Sequence, residues 1–99
     1  MFAVVREVTY DAKKRASGGK QLEEFARLRD QQAGYRGTVT VEAGDGRTLS
    51  LALWESKEQQ EAASAKLAPE AERLMGPLWT TPARVLGSGE VSHNGLAKS

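Results

Sequence analysis

The sequence predicts an α+β domain in the order βαββαβ, and three observations carry that prediction. Thr38–Glu42 and Thr48–Trp54 both alternate side-chain character with period two, as half-buried strands do. Ala43-Gly44-Asp45-Gly46 lies between them, and Asp-Gly with flanking glycine accepts the positive φ of a tight hairpin. An amphipathic helical segment precedes this hairpin and an alanine-rich one follows it, with an extended segment at each end of the chain.

The first strand is Phe2–Tyr10, rich in β-branched and aromatic residues, with Phe2, Val4, Arg6, Val8 and Tyr10 on one face. Asp11 to Lys20 is polar and basic, contains Ser17-Gly18-Gly19, and reads as a solvated loop. Gln21 to Ala33 places Leu22, Phe25, Ala26 and Leu28 on one stripe, and Gly34 is positioned to end that helix in a left-handed conformation. Ser56 can cap the second helix, with Gln59 completing a capping box. That helix is expected over Lys57 to Leu67. Ala68-Pro69 should break it and start a short helix from Glu70 to Met75, which Gly76-Pro77 ends. Trp79 to Val91, with Pro82 near its start, reads as an edge strand. The domain thus spans 1–91, and 92–99 carries no apolar pattern and is expected to be a tail.

This order is that of a ferredoxin-like fold, an antiparallel sheet with both helices on one face. The aliphatic side of the hairpin, with Val39, Val41, Leu49, Leu51 and Leu53, is expected to meet the helices. The other side would then present Thr38, Thr40, Ser50, Ala52 and Trp54, joined by Arg6 or by the Val5/Glu7 set according to the register of the first strand. A sheet face of that kind calls for a cover, so a homodimer is expected.

Composition narrows the function classes. Fourteen basic and thirteen acidic residues in 99 leave a formal charge of +1, which gives no field to draw in nucleic acid or an anionic membrane. The chain has no cysteine, so thiolate chemistry and Cys-ligated metal are excluded. No segment has a signal-peptide pattern or the apolar length of a membrane span, and a cytoplasmic location is the expectation. His93 is the single histidine and has no neighbouring ligands in sequence, so no metal site is expected. The strand Leu49 to Leu53 lacks the basic and aromatic residues with which RNA-recognition domains of the same topology stack bases.

Tyr35-Arg36-Gly37 after a helix, the Asp45-Gly46 hairpin and Trp54-Glu55-Ser56 at a strand-to-helix junction resemble antibiotic biosynthesis monooxygenase-like domains of the dimeric α/β-barrel superfamily, over residues 2–88. The resemblance implies two sheets facing one another across a dimer around a cavity. It also implies oxidation of aromatic polyketides by O₂ without metal or flavin in some members, and haem degradation in others. The haem-degrading pattern is not met: Ala62, Ala63 and Ala65 occupy the second helix where that branch has an axial histidine and a tryptophan, and the first strand has no asparagine.

Within this frame four residues are candidates for ligand binding, and no catalytic residue is assigned. Trp54 offers a π-surface for stacking an aromatic or quinoid compound, or else fills the dimer interface. Arg6 and Arg84 offer guanidinium groups for an enolate or carboxylate, or else form salt bridges, Arg6 with Glu42 or Glu55. Tyr35 offers a phenol, or packs at a strand entrance. The expectation is a cofactor-free monooxygenase-like protein acting on a small aromatic compound. A non-catalytic ligand-binding or structural homodimer is the alternative.

Overall fold

Gly44, Asp45 and Gly46 take φ of 89°, 55° and 78°, so the hairpin turn uses the left-handed conformations its residues favour. Gly46 is required for a second reason: a Cβ there would strike the carbonyl oxygen of Tyr10. The amide of Tyr10 in turn donates to the Gly46 carbonyl at 2.9 Å, which docks the hairpin on the end of the first strand. Around this hairpin the computed structural model, which describes residues 1–95, builds β1 (Phe2–Tyr10), α1 (Ala12–Ser17), α2 (Gly19–Asp30), β2 (Tyr35–Glu42), β3 (Arg47–Trp54), α3 (Lys57–Met75), a 3-10 turn (Gly76–Leu78) and β4 (Trp79–Glu90).

The four strands form one sheet in the order β2-β3-β1-β4, every neighbouring pair antiparallel, which is the ferredoxin-like arrangement. No helix among the described residues is long and apolar enough to cross a membrane. Register fixes the faces. Phe2 pairs with Trp54, Val4 with Ala52 and Arg6 with Ser50, so the even-numbered residues of β1 and β3 share one side. That side carries the core, in which Phe2, Val4, Ala52 and Trp54 pack with Ala63 and Leu67 of α3. Phe25 and Leu28 of α2 and Tyr35 pack against this cluster.

The expected orientation of the sheet is therefore reversed. Leu49, Leu51 and Leu53 do not meet the helices; they lie on the uncovered side, aligned with Val39, Val41 and Val5. Val39 and Val41 are 49% and 51% exposed. The physical reason lies in side-chain volume: Phe2 and Trp54 provide the bulk of the core, and the small Ala52 and Ala63 let α3 approach the strands closely.

Two helical boundaries also differ from expectation. Asp11 accepts a bond from the amide of Lys14 at 3.0 Å and caps a short helix, α1, where a loop was expected. Arg15 of α1 then binds Glu42 of β2 through two bonds of 2.6 Å. Helix α3 runs unbroken through Pro69. Proline removes the donor to Ala65, but Ala65 is exposed, so water can serve the freed carbonyl. Ser56 caps α3 as expected, accepting from the Gln59 amide at 3.2 Å. In the expected tail, Ser92–Gly95 are exposed, and 96–99 lie outside the described residues.

Candidate functional site

The sequence candidates fall in three different places. Trp54 is 3% exposed and belongs to the core between sheet and helices, so it does not stand on the open face. Its ring is met edge-on by Tyr35 at a centroid distance of 5.3 Å, and its Nε1 is buried without a hydrogen-bond acceptor among the described residues. Tyr35 shares its hydroxyl with Thr38, and the Arg29 guanidinium lies over its ring at 5.1 Å. Arg84 is on the open sheet face, where it donates two bonds of 3.1 and 3.2 Å to Glu7. Arg6 is a partly buried cation on the helix-covered side of the sheet.

Arg6 sits in β1 beneath α3 and donates from Nη2 to the hydroxyl of Ser64 at 3.2 Å. Gln60, one turn earlier on α3 and 8% exposed, donates from Nε2 to the same oxygen at 2.8 Å. Neither Glu42 nor Glu55 reaches Arg6, because Arg15 and Arg36 take those carboxylates. Among the described residues no carboxylate pairs with it. Burial alone pushes the Arg6 guanidinium below its ordinary value, with no anion to offset the loss of water. It remains a cation, since an arginine is protonated at any physiological pH. The local chemistry is that of a partly desolvated positive charge.

Helices α2 and α3 cover β1 and β3, whereas Thr80 to Glu90 is exposed throughout. Val85, the partner of Arg6 on β4, is 55% exposed. Where α3 ends and β4 begins, a shallow hollow is walled by Ala68 and Glu72 of α3 and by Pro77, Trp79 and Pro82; Arg6, Ser64 and Gln60 do not line it. Gln60, Ser64, Ala68 and Glu72 are successive i, i+4 neighbours along α3, a row that presents two polar groups, a small surface and a carboxylate in turn. From Ser64 to Glu72 the row spans about 12 Å at 1.5 Å per residue.

Sequence reading identified Arg6 but missed Ser64, Gln60 and Trp79. The available signal was the Gln60/Ser64 pair at i, i+4 in an alanine-rich helix. On the opposite face of the sheet, Glu7 is 14% exposed in its side chain and is held between Arg47 and Arg84. The bond from Arg47, ahead of that from Arg84, holds its carboxyl below the usual range despite partial burial. No group of three or more metal-ligating residues occurs among the described residues.

No protein-family model matches the chain, and no curated protein is similar to it in sequence. Solved structures are similar in fold. A protein of unknown function from Nitrosomonas europaea superimposes with a TM-score of 0.76 at 12% identity, over 99% of this chain and 95% of that one. SnoaB, a cofactor-independent oxygenase from Streptomyces nogalater, superimposes with a TM-score of 0.72 at 17% identity, over 95% of each chain. An antibiotic biosynthesis monooxygenase gives 0.73 at 9% identity, over 94% of this chain and all of the other. The chain has the fold of an antibiotic biosynthesis monooxygenase-like domain. At these identities the likeness is one of fold.

Proposed function

We infer that this protein is a homodimeric, cofactor-independent monooxygenase-like protein that takes a small aromatic or quinoid compound into the hollow between the end of α3 and the start of β4. The observations that support this reading are a shallow hollow with an aromatic wall at the end of α3 and, on the helix-covered side of the sheet, Arg6, a partly buried guanidinium that no carboxylate pairs among the described residues. Trp79 offers the apolar surface, and Arg6 offers charge for an enolate or phenolate. The fold shared with a cofactor-independent oxygenase supports the same reading by analogy.

In such a reaction a methylene between aromatic rings, as in an anthrone, loses a proton, and Arg6 stabilises the resulting enolate. The enolate passes electrons to O₂, a carbon–oxygen bond forms, and the peroxide expels water to leave a ketone. CH₂ and O₂ thereby become C=O and H₂O.

Oxygen-electrode assays with an anthrone test the reading. Uptake above the spontaneous rate that falls at least tenfold in Arg6→Gln, with an unchanged dimer, is the expected result; uptake equal to the buffer control would sink it. The alternative, a non-catalytic ligand-binding dimer, draws on one observation: the groups bonded around Arg6 are the Ser64 hydroxyl and the Gln60 amide, neither of which is a base. Binding of the anthrone without uptake would favour it.

The homodimer in this reading uses the uncovered sheet face. Val39, Val41, Leu49, Leu51 and Val5 form an aliphatic surface there, and a second copy turned by a two-fold axis offers the same surface in return.

A further inference from the structure

Helix α1 has six residues and none of them is buried, so apolar packing of its own does not hold it. Both of its ends rest on Leu78 of the 3-10 turn. The amide of Asp11, its N-cap, donates to the Leu78 carbonyl at 2.8 Å. Gly18, its C-cap, lies so close to the Leu78 side chain that a Cβ there would stand 2.7 Å from Cδ1, and Leu78 is 4% exposed, with little room to yield. Between these two ends Arg15 reaches the sheet. It donates twice to Glu42 at 2.6 Å and once to the Thr48 hydroxyl at 3.4 Å, and its guanidinium lies over the Tyr10 ring at 4.9 Å. Leu78, the seat of α1, stands between Pro77 and Trp79, both of which wall the hollow at the end of α3. The Trp79 amide closes the turn by donating to the Gly76 carbonyl, and its ring packs on Gly76, where a Cβ would lie 3.9 Å from Cε3.

We propose that α1 is a strap: seated on Leu78 at both ends and fastened to the sheet by Arg15, it holds the 3-10 turn and so sets the Pro77 and Trp79 walls of the hollow. This concerns the regulation of the site described above. Its consequence for a ligand rests on the reading of that hollow as the ligand site, whereas the strap itself does not. An element without buried side chains opens at a lower free energy than the strands beneath it. Release of α1 takes away the hydrogen bond and the packing that Leu78 has from it, so the turn opens in the same step. By reciprocity, a ligand that holds Trp79 also holds α1 closed.

Native-state amide hydrogen exchange of the free protein tests the strap. It is read at Arg15 and Gly18, whose amides bond to the carbonyls of Asp11 and Arg15, and at Trp79. The three amides are expected to share one opening equilibrium, of lower free energy than that of β1 and β3. Glu42→Gln, which removes the fastening charge, should speed all three together by about two- to fivefold. Gly18→Ala, which drives a methyl group against Leu78, should also speed all three together. Exchange at the three positions at the rate of β1 and β3, or an unaltered rate at Arg15 in Glu42→Gln, would overturn the strap. Faster exchange at Arg15 and Gly18 with Trp79 unmoved in both variants would overturn its hold on the turn. Adding an anthrone separates this proposal from the ligand reading. Binding should slow exchange at Arg15, which does not line the hollow, and binding without that slowing would break the link. If the anthrone does not bind, the ligand reading falls and the free protein still decides the strap.

Discussion

At the scale of single residues, Trp54 does not hold the place its position in sequence implies. Trp54 ends an alternating strand, and alternation alone says which residues share a face without saying which face the helices cover. Its partner Phe2 decides the matter, since both are buried in one cluster. Trp54→Ala should therefore cost about 3–5 kcal/mol in an equilibrium urea titration, the range for emptying an aromatic core position. A loss of less than about 1 kcal/mol would show that the residue is not in the core. Trp79 stands at the mouth of the α3–β4 hollow, so Trp79→Ala should weaken aromatic ligands. Arg6 was legible in sequence as the polar member of an apolar strand face. Ser64 and Gln60 were not, because polar residues at i, i+4 on a helix usually mark only its solvated side.

At the scale of elements, α1 and α3 are where local rules met competition. Asp11 is an N-cap whose helix is only six residues long, and α1 is held by Arg15 bonding Glu42 across to β2. The bond from Arg15 lowers the Glu42 carboxyl below its ordinary value in the folded chain. A lowered folded-state value means that protonation favours unfolding, so this contribution is present above the ordinary carboxylate range and is lost as the pH falls through and below it. Urea midpoints measured from neutral to acid pH should fall less steeply for Glu42→Gln than for the wild type, from a lower starting point at neutrality. Parallel curves would remove the pair from the stability of α1.

Pro69 makes the opposite point. Sequence rules break the helix there, yet α3 continues because its neighbours Ala63 and Leu67 are fixed in the core and the affected turn faces water. Pro69→Ala should stabilise the protein by about 1–3 kcal/mol, the interior helix penalty of proline less its effect on the unfolded chain. A destabilised variant would mean that Pro69 is not under strain within α3. The hairpin was the most legible element, since Asp45 and its glycines determine both the turn and the register of β2 on β3.

At the scale of the whole molecule, element order and strand pairing were readable because each step was local. The covered side of the sheet was not, because both of its sides carry apolar side chains and only the pairing of β1 with β3 separates them. The proposed two-fold assembly puts the aliphatic side to use. Light scattering should give twice the 10.7 kDa chain mass, and Val39→Lys should return the single-chain mass without unfolding it, since that side chain is already half exposed. A wild-type protein at 10.7 kDa at all concentrations would end the dimer proposal.

The aliphatic sheet face also bears on how the protein should respond to dilution. Because Val39 and Val41 stand half exposed in the single folded chain, sheltering them against another copy links association to folding, and the melting temperature becomes a property of the solution as well as of the chain. The midpoint should climb with each tenfold rise in protein concentration, and thin samples should unfold first.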